Sequence, residues 1–348
     1  MKIKMALLCA TALTAFATPA SAQRIFQSSN LSVYIAPPTN CATGYWASGG
    51  SVTACGDDVN GNGTQAAPWA TCQHAVDVLY SQYDFLGKWA PTINVASKPA
   101  PGQFFYPRCA ISGRLVGQPG SLPPMFAVTG HPTYAIGNYN PFVLQGDPAN
   151  RLGAFLVAGD FGFPADGPAL SLTDGAGLRV RGLTFDSGQS FQDNIDVMYS
   201  ATLEIDSIAL GNAGTTPGTY NINIGCAFNC TLWFDPPTVQ PGINSVGSAA
   251  SLIQLGAHST MIANNNTGQT GNVQINLSGG SFPAGVVQND DSEVYNLGFV
   301  WTGSFTGTYG YQGTKTAVVE NGTGAGPRTC PNLILGHADL WQDNSVCR

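Results

Sequence analysis

The amino-acid sequence predicts an all-β protein: a single-stranded right-handed parallel β-helix, closed at its N-terminal end by one capping helix. Composition, texture and repetition point to it. The chain holds 43 glycines and 23 prolines, and only 9% of its residues are charged. Such a chain has many turns and few surface helices, because those usually carry a charged outer face. From Pro141 onward, short stretches of alternating polarity are separated by Gly, Asn, Asp and Ser, with no helical period. These stretches recur as units of strand, tight turn and second strand.

Ala169 to Thr173 is followed by Leu178 to Phe185, and Asn194 to Met198 by Ala201 to Leu210. Then come Asn221 to Ile224 with Thr231 to Phe234, Ser251 to Leu255 with Thr260 to Ile262, and Gly285 to Gln288 with Val294 to Leu297. With Leu170, Ile195, Ile222, Leu252 and Val286 as equivalent positions, each interval is longer than the one before it. That drift suits a solenoid, in which each coil returns to the same azimuth while its loops vary in length. Within a strand, Leu178, Val180, Leu183 and Phe185 then point inward and Arg179 and Arg181 outward.

The N-terminal region reads differently. Residues 1–22 have the three parts of a secretory signal: Lys2 and Lys4, the apolar run Met5 to Phe16, and small residues ending Ala20-Ser21-Ala22. No segment reaches the roughly 20 apolar residues that a membrane helix requires, so the expectation is an exported protein without a membrane span. Residues 23–140 form a cap region with a strand over Leu31 to Ile35, a turn-rich loop and a helix. Cys72, Ala75, Val76, Leu79 and Tyr80 recur at i, i+3, i+4, i+7 and i+8, one apolar stripe. Pro68 sits near the helix start, where a missing N–H is harmless. Residues 141–325 supply the coils and 326–348 a disulfide-pinned tail.

Without Lys2 and Lys4 the chain keeps 11 basic against 20 acidic residues, with no basic run. Nucleic acid is excluded as a partner, since its phosphates demand clustered Lys and Arg. Eight cysteines remain after the signal, an even number that points to disulfides in an oxidising compartment. Their clustering favours Cys41 with Cys55, Cys72 with Cys109, Cys226 with Cys230 and Cys330 with Cys347. A zinc reading of Cys226 and Cys230 lacks a second ligand pair nearby.

Three stretches carry a family resemblance: Val33 to Ala36, Asp57-Asp-Val-Asn-Gly-Asn-Gly63, and Pro68-Trp-Ala-Thr-Cys-Gln-His-Ala-Val-Asp77. Together they resemble the N-terminal entry of pectin-lyase-like right-handed β-helix proteins, where a strand and an Asn-Gly loop lead into a capping helix. Phe142-Val-Leu-Gln-Gly-Asp147 resembles a first coil strand and its Gly-Asp turn. Thr302 to Gly307, Tyr309 to Tyr311 and Glu320 to Thr323 are similar to the end of phage-tail-like β-helix proteins of alphaproteobacteria. The signal peptide departs from a phage tail protein, which assembles in the cytoplasm, and so implies an exported relative. Polysaccharide chemistry is what the resemblance implies, yet the family's diagnostic lyase and glycosidase motifs are missing.

Candidate site residues fall into three groups. Asp186, Asp193, Asp196, Glu204 and Asp206 lie on consecutive expected coils and are the catalytic candidates if they converge on one face, with Arg179 and Arg181 one coil earlier for binding. Asp290, Asp291 and Glu293 form a second acidic group at an expected turn. Asp58, Asn60 and Asn62 match the first half of a calcium loop, although Trp69 stands where its bidentate acid belongs, so calcium is the one cofactor considered. Trp233, Trp301, Tyr309 and Tyr311 offer ring faces to a sugar, or alternatively fill the core. His74, His131, His258 and His337 show no metal spacing.

Two functions compete. The leading expectation is a non-catalytic exported β-helix presenting loops to glycan or protein at the cell surface or in the periplasm. The alternative is a polysaccharide lyase or glycoside hydrolase with an atypical carboxylate site. The expected assembly is either a monomer or a homotrimer, since β-helices occur as both, and no heptad marks a coiled coil.

Overall fold

The computed structural model describes residues 25–26, 29–84, 91–113, 142–158, 167–188, 193–211, 222–234, 239, 241–245, 247, 249, 251–263, 273–276, 284–288, 292–296, 299–302, 309–314, 318–321, 333–335 and 339–342. The secretory signal of 1–22, the pair Cys330 and Cys347, and Asp290, Asp291, His131 and His337 lie outside them.

The protein is mostly β, built of parallel sheets. A ten-stranded sheet runs in the order Leu31–Ile35, Pro91–Val95, Phe142–Gln145, Gly177–Arg181, Thr202–Asp206, Thr231–Phe234, Thr260–Ala263, Glu293–Asn296, Val318–Asn321, Asp339–Gln342. A seven-stranded sheet takes Phe104–Pro107, Ala154–Val157, Thr184–Asp186, Ile208–Leu210, Ile243–Ser245, Val273–Asn276 and Phe299–Thr302. An eight-stranded sheet takes Cys109–Ser112, Leu170–Thr173, Ile195–Met198, Ile222–Ala227, Ser251–Leu255, Ala284–Gln288, Tyr309–Thr314 and Leu333–Leu335. From Pro91 to Thr314 the chain visits the three in that fixed order, and neighbours within each sheet are always one circuit apart. Among the described residues every pairing between these strands is parallel, and none of the three sheets closes on itself.

Each unit therefore has three strands where the sequence suggests two. The stretch from Leu178 to Phe185 breaks at Gly182, which is left-handed at φ 66°, and Ala201 to Leu210 breaks at Ser207, at φ 56°. One residue in that region turns the chain from the ten-stranded to the seven-stranded sheet. Its amide donates to the next coil, as Gly182 N does to Ser207 O at 2.8 Å. The true register joins Leu170, Ile195, Ile224, Ile253 and Val286, and its two middle intervals are equal where the sequence suggests steady lengthening. Ile222 and Leu252 are displaced from that register by two positions and one, because both flank the register residues as buried apolar neighbours. The sheets also run across the boundaries at residues 140 and 325, since the strands of 91–112 and of 333–342 belong to them.

Alternation along the strands places the core. Leu178, Val180, Leu183 and Phe185 are fully buried and Arg179 and Arg181 are not, as the pattern requires. Parallel stacking puts Leu144, Val180, Ile205 and Phe234 one above another in the same interior column. Each such side chain contributes about 1.5–3 kcal/mol by leaving water.

The helix α1 (Cys72–Gln82) forms where the stripe predicts it, and Cys72, Ala75, Val76, Leu79 and Tyr80 are all buried. Its start lies beyond Pro68. Thr71 is the N-cap and accepts the His74 N–H, while Asp58 Oδ1 accepts the N–H groups of Ala70 and Thr71. The helix packs against Leu31–Ile35, Pro91–Val95 and Cys109–Ser112, the first strands of two sheets. Tyr80 meets Phe142 with ring centroids 5.4 Å apart. Disulfides join Cys72 to Cys109, Cys41 to Cys55 and Cys226 to Cys230. Among the described residues no helix is long and apolar enough to cross a membrane.

Candidate functional site

The five acids do not converge on one face. Asp186 ends a strand of the seven-stranded sheet, Asp193 precedes and Asp196 sits in a strand of the eight-stranded sheet, and Glu204 and Asp206 share a strand of the ten-stranded sheet. The chain visits three sheets in turn, so acids consecutive in sequence are dealt to different sheets. Asp186 Oδ1 accepts the Gly188 N–H at 2.8 Å and stabilises its own turn.

Asp193 and Asp196 do meet. In-register pairing brings Gly225 beside Asp196, and the absent side chain of Gly225 leaves room for both carboxylates. The point where a Cβ on Gly225 would stand lies 2.5 Å from Asp193 Oδ2 and 3.7 Å from Asp196 Oδ1. Burial pushes the Asp193 carboxyl up to about 8, with the negative Asp196 nearby adding to the shift and the Ile222 N–H opposing it. Burial alone pushes Asp196 up to about 6. Both carboxyls thus sit above the ordinary range, and near neutral pH the pair retains a proton. A proton donor next to a proton acceptor is the chemistry of general acid–base catalysis. The two acids spring from one strand end and meet over one glycine. They do not face each other across a groove at the roughly 6.5–9.5 Å that an inverting glycosidase uses.

On the ten-stranded sheet Arg179, Glu204 and Trp233 are aligned across three coils, with Arg181 and Asp206 two positions along. Arg179 Nε lies 3.3 Å from Glu204 Oε1 and Nη2 lies 3.5 Å from Asp206 Oδ2. Asp206 is buried and also accepts the Ser207 hydroxyl at 2.7 Å. Arg181 donates to Gln145 Oε1. Burial, and then the neighbouring Arg179, lower the Arg181 pKa, while Asp206 and Glu204 oppose the shift. Arg179 is thus held by Glu204 and Asp206, and Arg181 by Gln145, all within the sheet.

The calcium candidates are engaged separately. Asp58 accepts from Ala70, Thr71 N–H and the Thr71 hydroxyl, Asn60 donates its amide to Asp57, and Asn62 accepts from Thr64. Asp57, which the calcium pattern leaves out, organises the turn by accepting the N–H groups of Val59 and Asn60. Its hydrogen bonds to the Asn60 side chain and to those two N–H groups hold its carboxyl below the ordinary range. Among the described residues no cluster of three or more His, Cys, Asp or Glu is placed to hold a metal.

Trp233 is only 9% exposed, too buried to offer a ring face. Trp301 lies on the seven-stranded sheet and Tyr309 and Tyr311 on the eight-stranded one, so the four aromatics form no common platform. Glu293 lies in a strand of the ten-stranded sheet. Among the described residues the exposed Phe, Tyr and Trp rings are Tyr199 and Phe228, at 48% and 47%, stacked 9° from parallel with centroids 5.1 Å apart. They stand at the corner where the chain passes from the eight-stranded to the ten-stranded sheet.

That corner repeats in four consecutive coils. Asp174 and Gly175, Tyr199 and Ser200, Phe228 and Asn229, and Ala257 and His258 are all left-handed, with φ between 45° and 80°. The strands on either side are in register throughout, so the pairs stack level by level. Backbone bonds tie them together: Gly175 N to Tyr199 O, Ser200 N to Phe228 O, Asn229 N to Ala257 O. A signal for this was present in the sequence, since Tyr199 and Phe228 are separated by the same interval as the register pair Ile195 and Ile224.

Set against protein-family models, curated proteins and solved structures, the chain matches none of them. Fold and site together define a mostly-β protein of stacked parallel sheets, stabilised by disulfides, with an exposed side-chain array along one corner.

Proposed function

We propose that the three sheets are the sides of a right-handed parallel β-helix of pectin-lyase-like kind, capped by α1, and that the protein is exported and binds a glycan without transforming it. The fixed order of strands and their parallel pairing support the helix, and parallel crossovers are right-handed in about 98% of cases. Three disulfides and the signal-like residues 1–22 support export by the Sec route to the periplasm or beyond.

The observation that carries glycan binding is the corner array. Four coils present side chains at matched levels along the molecule, a one-dimensional repeat that suits a linear polymer better than a compact ligand. The net negative charge favours a neutral polysaccharide over an anionic one.

Catalysis is the second reading, and Asp193 beside Asp196 favours it. One experiment separates the two: incubation with neutral and acidic polysaccharides, followed by assays for retention, new reducing ends and unsaturated products. Retention without products supports binding. Products that disappear in Asp196→Asn support a hydrolase or lyase.

A further inference from the structure

Left-handed backbone is costly for a bulky side chain, and Gly or Asn is the usual occupant. At the corner the first coil obeys this with Asp174 and Gly175, and the third places Asn229 in its second position. Yet Tyr199 and Phe228 occupy the first position of their coils at φ 53° and 64°, each about half exposed. Such strain persists where the surrounding fold imposes it, and it gathers at ligand sites. The column at that level reads Asp174, Tyr199, Phe228, Ala257 along successive coils. The two rings cover one face of each other. The opposite face of Phe228 looks toward the Ala257 level, where a single methyl group replaces a third ring.

Hydrogen-bonding side chains run beside this gap. Ser200, Asn229 and His258 occupy the second position of the same turns. An apolar face next to a row of donors and acceptors is the complement of a pyranose, which has C–H groups on its faces and hydroxyls at its rim. We propose that the Ala257 level is a binding slot for one neutral pyranose residue, stacked on the face of Phe228 away from Tyr199 and hydrogen-bonded by Asn229. This rests on the glycan-binding reading and locates it.

Calorimetric titration of the full secreted chain with hexasaccharides of β-1,4-linked glucose, xylose, mannose and N-acetylglucosamine tests it. The wild type binds at least one. Phe228→Asn, compatible with the left-handed backbone, weakens that binding by about tenfold. Ala257→Phe fills the slot with the side chain that Phe228 shows the corner tolerates, and it abolishes binding while the far-ultraviolet circular dichroism of the folded chain is retained. Wild-type affinity in both variants overturns the slot but leaves glycan binding standing elsewhere on the protein. No binding of any hexasaccharide by the wild type overturns both. Self-association that Phe228→Asn dissolves, without sugar binding, assigns the rings to a second copy of the chain and also overturns the slot.

Discussion

Gln145 and Arg181 occupy matched positions on adjacent strands, and Gln145 Oε1 accepts hydrogen bonds from both Nε, at 2.7 Å, and Nη2 of the guanidinium. The chain of bonds continues. Gln145 Nε2 donates to Asn94 Oδ1 at 2.6 Å, and Asn94 Nδ2 donates to the Val33 carbonyl at 3.1 Å. A polar ladder thus crosses four strands of the ten-stranded sheet from its N-terminal edge. Gln145→Leu leaves the buried Asn94 and half-buried Arg181 short of a partner, and the expected cost is about 2–4 kcal/mol. A fall in urea midpoint at unchanged m-value checks it.

Gly182 makes a second prediction. A Cβ there would stand 2.6 Å from the backbone of Gly146, Asp147 and Pro148 in the preceding coil, and its φ is 66°. Neither the strain nor the clash can relax without separating two coils. Gly182→Val is expected to cost about 3 kcal/mol or more, whereas Ser207→Gly at the next coil's corner loses only its bonds to Asp206 and Val239. Comparison of the two melting temperatures is the test.

The Asp193 and Asp196 pair sets a pH dependence whose sign is unusual. Both carboxyls titrate higher in the folded chain, near 8 and 6, than the roughly 4 of an unfolded chain. The folded state therefore holds protons that the unfolded state has released, and stability falls as pH rises from about 4 to 8. Asp193→Asn removes all of this slope between pH 6 and 8 and about half of it between pH 4 and 6, where Asp196 supplies the rest. Melting curves at pH 5 and pH 8 should differ by several degrees in the wild type and by less in the variant.

Removing the disulfide between Cys72 and Cys109 frees a 37-residue separation and unties α1 from the first strand of the eight-stranded sheet. Cys72→Ser with Cys109→Ser is expected to cost about 2–5 kcal/mol. Hydrogen exchange of the α1 amides, accelerated ahead of the later strands, distinguishes loosening of this end from global unfolding.

Much of the architecture was legible because each element has its own period. The α1 stripe from Cys72 to Tyr80 and the inward set Leu178, Val180, Leu183 and Phe185 reflect which side of a helix or strand must leave water. The third strand of each coil was harder to see. Its trace is a parity slip: apolar residues two apart at Leu178 and Val180 resume three later at Leu183, and Leu203 and Ile205 resume at Ile208. A one-residue corner needs no Gly-rich loop, so Ser207 does in one coil what Gly182 does in another.

The candidate site was less legible. Which of five nearby acids would meet depended on which sheet each strand joined: Asp193 and Asp196 came together over a glycine, Glu204 and Asp206 gathered on Arg179, and Asp186 stood apart. Tyr199 and Phe228 escaped notice because nothing local marks a turn aromatic as exposed.

Composition and periodicity alone determined that this chain builds parallel strands, buries a particular set of apolar residues, forms α1 and pairs Cys41 with Cys55, Cys72 with Cys109 and Cys226 with Cys230. Tertiary structure decided the three-strand circuit, the separation of Glu204 and Asp206 from Asp193 and Asp196, and the alignment of Phe228 over the Ala257 level. The reason is physical. Strand and helix formation depend on neighbours in sequence, whereas register between coils depends on residues a full circuit away, whose spacing is set by loops that leave no periodic signature.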